Sequence, residues 1–312
     1  MQNVHTEYAY AKINPFLAVM ERRPDGYHTI LSHMQAVTLC DVLTFDWQED
    51  NESEFTVRLQ CTDPAIPCDD TNLVCRAARA LVARLKDHGR RVGGVLNVHL
   101  EKRIPVAAGL AGGSADAAAT LRGFNTLLYG PFSLEELCKI GATLGADVPF
   151  CVQCEKVPAV RAHGIGDIME PACPLPEDTH LVIARFGEGV STPWAYRQLD
   201  ENWSDFWYYE AIEGYKFFAY ALDTKDLKIL APYTYNCFET MVMGERPSTY
   251  ALAEHMENCK AVFVRMSGSG PSMVGYFDDE EAAKRCADKF HEYGIEAHLC
   301  QPLKRKVRRI IG

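Results

Sequence analysis

The stretch Pro105-Val-Ala-Ala-Gly109-Leu-Ala-Gly112-Gly113-Ser114-Ala-Asp116 is the most informative segment of the chain. It follows an alternating segment, Val95–Glu101, and leads into an Ala-rich segment that runs to about Leu128, so a glycine-rich turn joins a strand to a helix. Glycines let the backbone approach a ligand closely, and a helix start presents unpaired N–H groups at its positive end. The stretch therefore predicts an anion-binding loop in which Ser114 caps the helix or reaches a phosphate oxygen or Mg²⁺.

Two observations keep a purely structural interpretation of this loop open. The common phosphate-binding loop carries Gly-Lys-Ser or Gly-Lys-Thr after its glycines, and this stretch does not. A second glycine turn, Ser267-Gly268-Ser269-Gly270-Pro271, follows the apolar segment Ala261–Met266, and such a turn alone is more typical of tight chain reversal than of binding. Taken singly, the first glycine turn is as consistent with packing as with binding, and the second favours packing.

Two charged residues are candidates for chemistry. Lys12 lies in the apolar stretch Ala11-Lys12-Ile13-Asn14, where an ammonium group needs a partner or a charged ligand; a lysine that extends to solvent is the alternative. Asp147 lies in Gly145-Ala-Asp147-Val-Pro149, just past a helix that the capping-box pattern Ser133-Leu-Glu-Glu136 opens. That position suits a general base, or an acid that only shapes a turn.

Composition limits the class of protein. A chain of 312 residues with 47% apolar and 24% charged residues is typical of a globular protein with a large core. The net charge of −10 disfavours a nucleic-acid binder, and no run approaches the ~20 apolar residues that span a bilayer. Twelve scattered cysteines without a secretory signal predict a reduced, cytoplasmic protein, and the lone Cys151-Val-Gln-Cys154 does not predict a zinc or redox site.

The secondary-structure pattern favours an α+β fold, because strands and helices mix without strict βαβ alternation. Strands are expected at Glu54–Gln60, Val95–Glu101, Ala261–Met266, Met273–Phe277 and Ile295–Leu299. Helices are expected at Asn72–Asp87, from Ser114 to about Leu128, from Ser133 to a stop at Gly145, from Ser248, and at Asp279–Tyr293.

Three blocks, at Ala11–Asn14, Pro105–Ala118 and Met266–Ser272, occur in the order and spacing of the signature motifs of the galactokinase–homoserine kinase–mevalonate kinase (GHMP) superfamily, and the chain resembles that family over nearly its whole length. Further stretches resemble the members whose substrate carries cytidine diphosphate: Arg22-Arg-Pro-Asp-Gly-Tyr27-His28, Asp70-Thr-Asn-Leu-Val74, Gly145-Ala-Asp-Val-Pro-Phe150, Gly164-Ile-Gly-Asp167 and Gly189-Val-Ser-Thr192.

The resemblance implies a two-lobed GHMP-kinase fold with the ligands in the cleft between the lobes. Residues 1–160 would form an N-terminal ATP-binding domain, and residues 161–312 a C-terminal domain that contributes to the substrate site. The implied reaction is ATP-dependent phosphorylation of a hydroxyl on a nucleotide-capped isoprenoid precursor, with Mg²⁺ on the phosphates. The implied partner is this small molecule, with neither nucleic acid nor membrane, and the oligomeric state is left open.

Site residues follow from the same resemblance. Lys12 and Asp147 correspond to the catalytic pair, and Ser114 is a possible metal ligand. The residues expected to bind the nucleotide are Pro105, Ala107, Gly109, Leu110, Ala111, Gly112, Gly113, Ser114 and Ala115. The residues expected to bind the substrate are Asn14, Tyr27, His28, Tyr196, Gly268 and Ser269, with Tyr27 and His28 on the cytosine and Trp194 as an alternative to Tyr196.

The chain also departs from the family pattern. Ala111 and Ala115 stand where the family usually has Gly and Ser, and Cys237 stands where it commonly has Asp; the segments Gln153–Pro158 and Trp203–Tyr209 also look unusual. One alternative is a homoserine or mevalonate kinase, which Tyr27-His28 disfavours because those substrates carry no base. The other is a non-catalytic nucleotide-binding paralogue, which the presence of both Lys12 and Asp147 disfavours.

Overall fold

The computed structural model describes residues 3–50, 52–201 and 206–305. Its chain forms two compact units, of which the first comprises residues 1–11, 40–104 and 111–154 and the second comprises residues 12–39, 105–110 and 155–312. These units differ from the consecutive domains 1–160 and 161–312 that the resemblance implied. The reason is that two long strands and the glycine loop each contribute residues to both units. The unusual segment Trp203–Tyr209 lies outside the residues and side chains that the structure describes.

Strands and helices alternate irregularly along the chain, as predicted for an α+β fold. The strands are β1 (Asn3–Arg22), β2 (His28–Glu49), β3 (Phe55–Cys61), β4 (Gly94–Glu101), β5 (Ala159–His163), β6 (Ile168–Pro171), β7 (His180–Arg185), β8 (Tyr235–Asn236), β9 (Phe263–Met266), β10 (Met273–Phe277) and β11 (Glu296–Cys300). The helices are α1 (Leu73–Asp87), α2 (Gly112–Leu127), α3 (Leu134–Ala142), α4 (Val148–Gln153), α5 (Thr192–Glu201), α6 (Phe206–Asp223), α7 (Leu227–Leu230), α8 (Glu239–Glu245), α9 (Pro247–Asn258) and α10 (Glu280–Glu292).

The first unit packs helices on a small sheet. Strand β3 pairs in parallel with β4, and β4 pairs antiparallel with the second half of β2. The Ala-rich helix α2 lies against this sheet; Phe124 contacts Trp47 and Phe55 with ring centroids 5.2 and 5.5 Å apart. A Cβ on Gly123 would lie 2.6 Å from the Phe45 ring, so small residues allow this close approach. This packing holds the second half of α2 against the sheet.

The second unit contains an antiparallel sheet in the order β11-β7-β10-β9. Helices α9 and α10 cover it with buried side chains that include Leu252, Met256 and Phe290. The second glycine turn is the hairpin between β9 and β10, where Met266 and Met273 face each other. The first half of β2 pairs with β5, and β1 pairs with β8. The hairpin turn, residues 12–22 of β1 and residues 105–110 of the first glycine loop all belong to this second unit.

One local prediction, the capping box at Ser133, is confirmed. The Ser133 hydroxyl accepts a hydrogen bond from the Glu136 N–H, and the Glu136 carboxylate accepts one from the Ser133 N–H, so the capping box forms. The helix that it opens ends at Ala142, three residues earlier than the predicted stop at Gly145. All twelve cysteines are free thiols. Within the described ranges, no helix is both long and apolar enough to cross a bilayer.

Candidate active site

The first glycine loop reverses through three residues in the left-handed backbone region: Ala107 (φ 52°), Gly109 (φ 76°) and Ala111 (φ 58°). Ala111 is the N-cap of α2 and makes no side-chain cap. The first N–H groups of α2, from Gly112 onward, therefore mark the positive end of a 16-residue helix. The prediction that Ser114 caps the helix is wrong, because Ser114 is its third residue. Its half-buried hydroxyl lies in the first turn, where a ligand oxygen would meet the helix.

The two glycine turns contact each other in the second unit. A Cβ on Gly109 would lie 2.1 Å from the Ser267 carbonyl oxygen, and a Cβ on Gly268 would lie 2.9 Å from the Gly109 carbonyl oxygen. The Ser267 hydroxyl donates a hydrogen bond of 3.0 Å to that same Gly109 oxygen. The close packing of the two turns thus explains why glycine is needed at positions 109 and 268. Gly112 and Gly113 belong instead to the start of α2.

Lys12 completes this arrangement from β1. Its ammonium donates to the Asn14 side-chain oxygen at 2.6 Å and to the Gly109 carbonyl oxygen at 3.2 Å. Asn14 in turn donates to the Ser32 hydroxyl at 2.9 Å. Lys12 is only 5% exposed, so the alternative of a lysine that extends to solvent is wrong. Residues from all three sequence blocks that carried the family resemblance therefore meet at Gly109. The two oxygens that accept hydrogen bonds from the Lys12 ammonium are both neutral.

Asp147 lies in the first unit, at the N-cap of α4. Its half-buried carboxylate makes no capping hydrogen bond to that helix, so the helix start does not explain the residue. The turn that carries it lies beside the start of α2: a Cβ on Gly145 would lie 3.9 Å from the Ser114 hydroxyl. The pairing of Lys12 with Asp147 stays a prediction.

Several other residues of the predicted nucleotide loop have buried side chains, which leaves their backbone groups as their polar atoms. The side chains of Leu110 and Ala115 are buried, 1% exposed each, and the Leu110 carbonyl accepts the Lys12 N–H at 3.1 Å. Pro105 is also buried. A Cβ on Gly189 would lie 2.6 Å from that of Ala107, so the Gly189 turn packs on the loop. Ala115 faces the core, and its missing hydroxyl therefore does not face a ligand at the helix start.

Three aromatic rings form a cluster in the second unit. His28 and Tyr196 were predicted to recognise the base, and Phe238 was not predicted. The His28 and Tyr196 rings lie 4.8 Å apart, and Phe238 packs on the other side of Tyr196 at 5.0 Å. Tyr196, rather than Trp194, is thus the aromatic against His28. The Tyr27 ring is 62% exposed next to this cluster and is accessible to a ligand.

Side-chain hydrogen bonds also shape the second glycine turn. The Ser269 and Thr192 hydroxyls lie 2.9 Å apart, which connects the turn to the start of α5. Asn236 donates to the Met266 and Gly268 carbonyl oxygens at 2.7 and 2.9 Å, a role that sequence reasoning missed. Burial raises the pKa of the neighbouring Cys237 thiol to about 12, so this position carries no charge near neutral pH.

A buried charge cluster that the sequence did not predict lies beneath the helix start in the first unit. The Lys102 ammonium contacts the Asp41 carboxylate and lies 2.8 Å from an Asp116 carboxylate oxygen. Asp41 also accepts the Ile104 N–H at 2.7 Å. Burial raises the pKa of Asp116 to about 8, although Lys102 opposes that shift. A Cβ on Gly112 would lie 3.0 Å from the Lys102 nitrogen, so the cluster abuts the first residue of α2.

The donor set near the loop fits a metal that relies on few protein ligands. Within the described parts of the chain, no group of three or more His, Cys, Asp or Glu side chains is arranged to hold a metal. Mg²⁺ commonly keeps several waters and binds one or two protein oxygens together with substrate phosphates. The Ser114 hydroxyl in the first turn of α2 suits that requirement, whereas the Asp116 carboxylate is engaged by Lys102.

Family models match both halves of the chain. The model of the GHMP kinases N terminal domain matches residues 72–155, and the model of the GHMP kinases C terminal region matches residues 218–296. A 4-diphosphocytidyl-2-C-methyl-D-erythritol kinase of Gloeobacter violaceus is 35% identical over 300 residues, which cover 94% of this chain and 92% of that protein. One of Alkaliphilus metalliredigens is 35% identical over 296 residues, which cover 95% and 96%.

Solved structures show the same fold. A crystal structure of 4-(cytidine 5′-diphospho)-2C-methyl-D-erythritol kinase aligns with a TM-score of 0.71 and 28% identity, covering 95% of this chain and 99% of that one. Homoserine kinase from Cytophaga hutchinsonii aligns with a TM-score of 0.73 over 98% and 96% of the two chains. Its identity of 16% makes this a likeness of fold alone.

Proposed function

We propose a reaction for this chain from the fact that it belongs to the 4-diphosphocytidyl-2-C-methyl-D-erythritol kinase family within the GHMP kinases. In that reaction the protein transfers the γ-phosphate of ATP to the 2-hydroxyl of 4-diphosphocytidyl-2-C-methyl-D-erythritol. This membership confirms the resemblance found in the sequence, and the product belongs to isoprenoid precursor biosynthesis. One observation carries the proposal for the chemistry: the buried Lys12 ammonium is hydrogen-bonded to the glycine loop at Gly109.

The nucleotide phosphates would bind at the start of α2. The N–H groups of Gly112, Gly113 and Ser114 have no intrahelical acceptors, and the helix dipole favours negative charge there. Mg²⁺, bound through the Ser114 hydroxyl and the phosphates, would neutralise charge on the phosphoryl group. Phosphoryl transfer has a loose transition state, so such positioning and charge stabilisation account for most of the catalysis.

Lys12, Asn14 and Asp147 would serve the accepting hydroxyl. The hydroxyl oxygen forms a bond to the γ-phosphorus, the bond to the bridging oxygen breaks, and ADP leaves. The Asp147 carboxylate takes the hydroxyl proton as the new bond forms. The Lys12 ammonium, whose acceptors Asn14 and Gly109 are neutral, keeps its full charge for the transferring group.

His28, Tyr27 and Tyr196 would recognise the cytosine. A plain polyol substrate needs no aromatic surface, whereas a pyrimidine base is recognised by stacking and by hydrogen bonds to its edge. The Tyr27 ring is exposed and the Tyr196 ring lies against His28, which supports stacking on one side and polar recognition on the other. The cytidine diphosphate group therefore supplies the binding energy that distinguishes this substrate from homoserine or mevalonate.

The test is a comparison of substrates by ADP release with purified protein, Mg²⁺ and ATP. We expect kcat/KM for 4-diphosphocytidyl-2-C-methyl-D-erythritol to exceed that for homoserine and for mevalonate by at least a thousandfold. A preference for either other acceptor would replace the proposed substrate. ADP release with none of the three, from protein that still binds ATP, would instead indicate a non-catalytic nucleotide binder.

A further inference from the structure

The contact between His28 and Asp200 is the strongest feature that the proposed chemistry leaves unassigned. The His28 Nε2 atom lies 2.6 Å from an Asp200 carboxylate oxygen. The His28 side chain is 7% exposed and that of Asp200 is 24% exposed, so the pair is shielded from solvent on the histidine side. Asp200 lies on α5 four residues after Tyr196, a spacing that places both side chains on one helix face. Helix α5 thus brings an aromatic ring and a carboxylate to the same histidine.

The hydrogen-bond chemistry of the pair determines which ring nitrogen meets a ligand. An ionised carboxylate only accepts hydrogen bonds, so the Nε2 atom of His28 must carry the proton. When the ring carries this single proton, the Nδ1 atom is unprotonated and can only accept a hydrogen bond. Over the described ranges, Nδ1 of His28 makes no hydrogen bond to the protein. The 4-amino group of cytosine is a donor that matches such an acceptor, whereas uracil presents a carbonyl oxygen at that position.

Asp200 also contacts both ends of the turn that carries Tyr27. Arg22 is the last residue of β1 and His28 is the first residue of β2. One Asp200 oxygen contacts His28, and the other lies 3.7 Å from the Arg22 guanidinium. Between these two ends, the turn presents the exposed Tyr27 ring. A single carboxylate therefore contacts both ends of the turn, which its own hydrogen bonds also close, including that from the Arg23 N–H to the Tyr27 carbonyl oxygen at 2.7 Å.

We propose that Asp200 is a positioning residue for base recognition: it holds His28 in the Nε2–H tautomer with Nδ1 toward the base. This inference rests on the proposed function, since it takes the cytidine group as the ligand. It adds a residue that determines selectivity for cytosine over uracil and that does not itself touch the base.

The test uses Asp200→Asn, which keeps the size of the side chain and removes its charge. Glu201→Gln is the matched control, because Glu201 is the next residue of α5 and its carboxylate accepts from Gln198. Binding of CDP and of UDP to the folded variants is measured by calorimetry. We expect the Kd for CDP to rise about tenfold in Asp200→Asn, as for the loss of a hydrogen bond to a charged group, and the preference for CDP over UDP to shrink.

Two further measurements separate positioning from a general structural effect. The ¹⁵N shifts of His28, assigned by comparison with His28→Asn, should show Nε2 protonated in the native protein and a change of tautomer population in Asp200→Asn. In turnover assays, KM for the cytidine substrate should rise while KM for ATP stays within about twofold. An Nδ1–H tautomer in the native protein, or a Kd for CDP in Asp200→Asn equal to that of Glu201→Gln, would overturn the inference. A native protein that binds CDP with this tautomer but phosphorylates no acceptor would refute the proposed function and leave the inference standing.

Discussion

Replacement of Lys102 by methionine tests whether the buried charge cluster supports the nucleotide site. Lys102 is 6% exposed, and its partners Asp41 and Asp116 are 0% and 6% exposed. Methionine keeps much of the side-chain volume but removes the charge, so two buried carboxylates face each other without a cation. Breaking a buried ion pair on one side costs about 3–5 kcal/mol. That loss is a large share of the roughly 5–15 kcal/mol that stabilises a typical folded protein.

Urea unfolding followed by circular dichroism measures this loss, and Lys139→Met is the control. Lys139 forms an exposed ion pair with Glu135 at 2.7 Å, four residues apart on α3, and exposed pairs of this kind contribute little to stability because water screens them. Because the Lys102 ammonium abuts Gly112, we also expect Lys102→Met to raise the KM for ATP, which Lys139→Met should leave unchanged. Equal unfolding free energies for the two variants would refute the role of the cluster in stability. An unchanged KM for ATP in Lys102→Met would refute its role at the helix start.

Three further predictions concern single side chains. Asp147→Asn should lower kcat by about 10²–10⁴-fold while ATP binding stays within about threefold, and unchanged turnover would remove Asp147 from the mechanism. Gly109→Ala places a Cβ 2.1 Å from the Ser267 carbonyl oxygen at a φ of 76°, so it should destabilise the protein by about 1–3 kcal/mol and weaken ATP binding, both measured against the native protein. Burial lowers the pKa of His33 from 6.5 to about 3, so the unfolded chain binds a proton below pH 6.5 that the native protein does not. The protonation of His33 in the unfolded chain should then lower the free energy of unfolding by about 2 kcal/mol between pH 6.5 and 4.5, and urea unfolding of His33→Phe at both pH values should lack that loss.

Local sequence patterns predicted much of the fold because the physics behind them is local. The capping box at Ser133 and the alternation in β3 and β4 depend on neighbours within a few residues, and they form as expected. The ends of helices were predicted less accurately than their existence. For α3 the sequence predicted a stop at Gly145, whereas the helix ends at Ala142. The sequence did not reveal the division into two compact units. That division depends on the points at which the long strands β1 and β2 pass from one unit to the other.

The candidate site was predictable where a motif carries its own chemistry, and not where the partner is distant in sequence. Lys12 and Gly109 were identified from motifs, and their hydrogen bond crosses 97 positions. Lys102 was not identified from the sequence, since its partner Asp41 is 61 positions away. Asp200 showed only a helical spacing from Tyr196, which did not reveal that it contacts His28. Ser114 was misplaced as a cap because the left-handed backbone of Ala111 leaves no sign in the sequence.

The most direct test of the central claim is a single-turnover reaction with [γ-³²P]ATP, Mg²⁺ and 4-diphosphocytidyl-2-C-methyl-D-erythritol. The native protein should transfer the label to the erythritol 2-hydroxyl with one ADP formed per labelled product, and Lys12→Met should transfer it far more slowly. Label that appears only as inorganic phosphate, or that reaches the product at the same rate in Lys12→Met, would contradict the account.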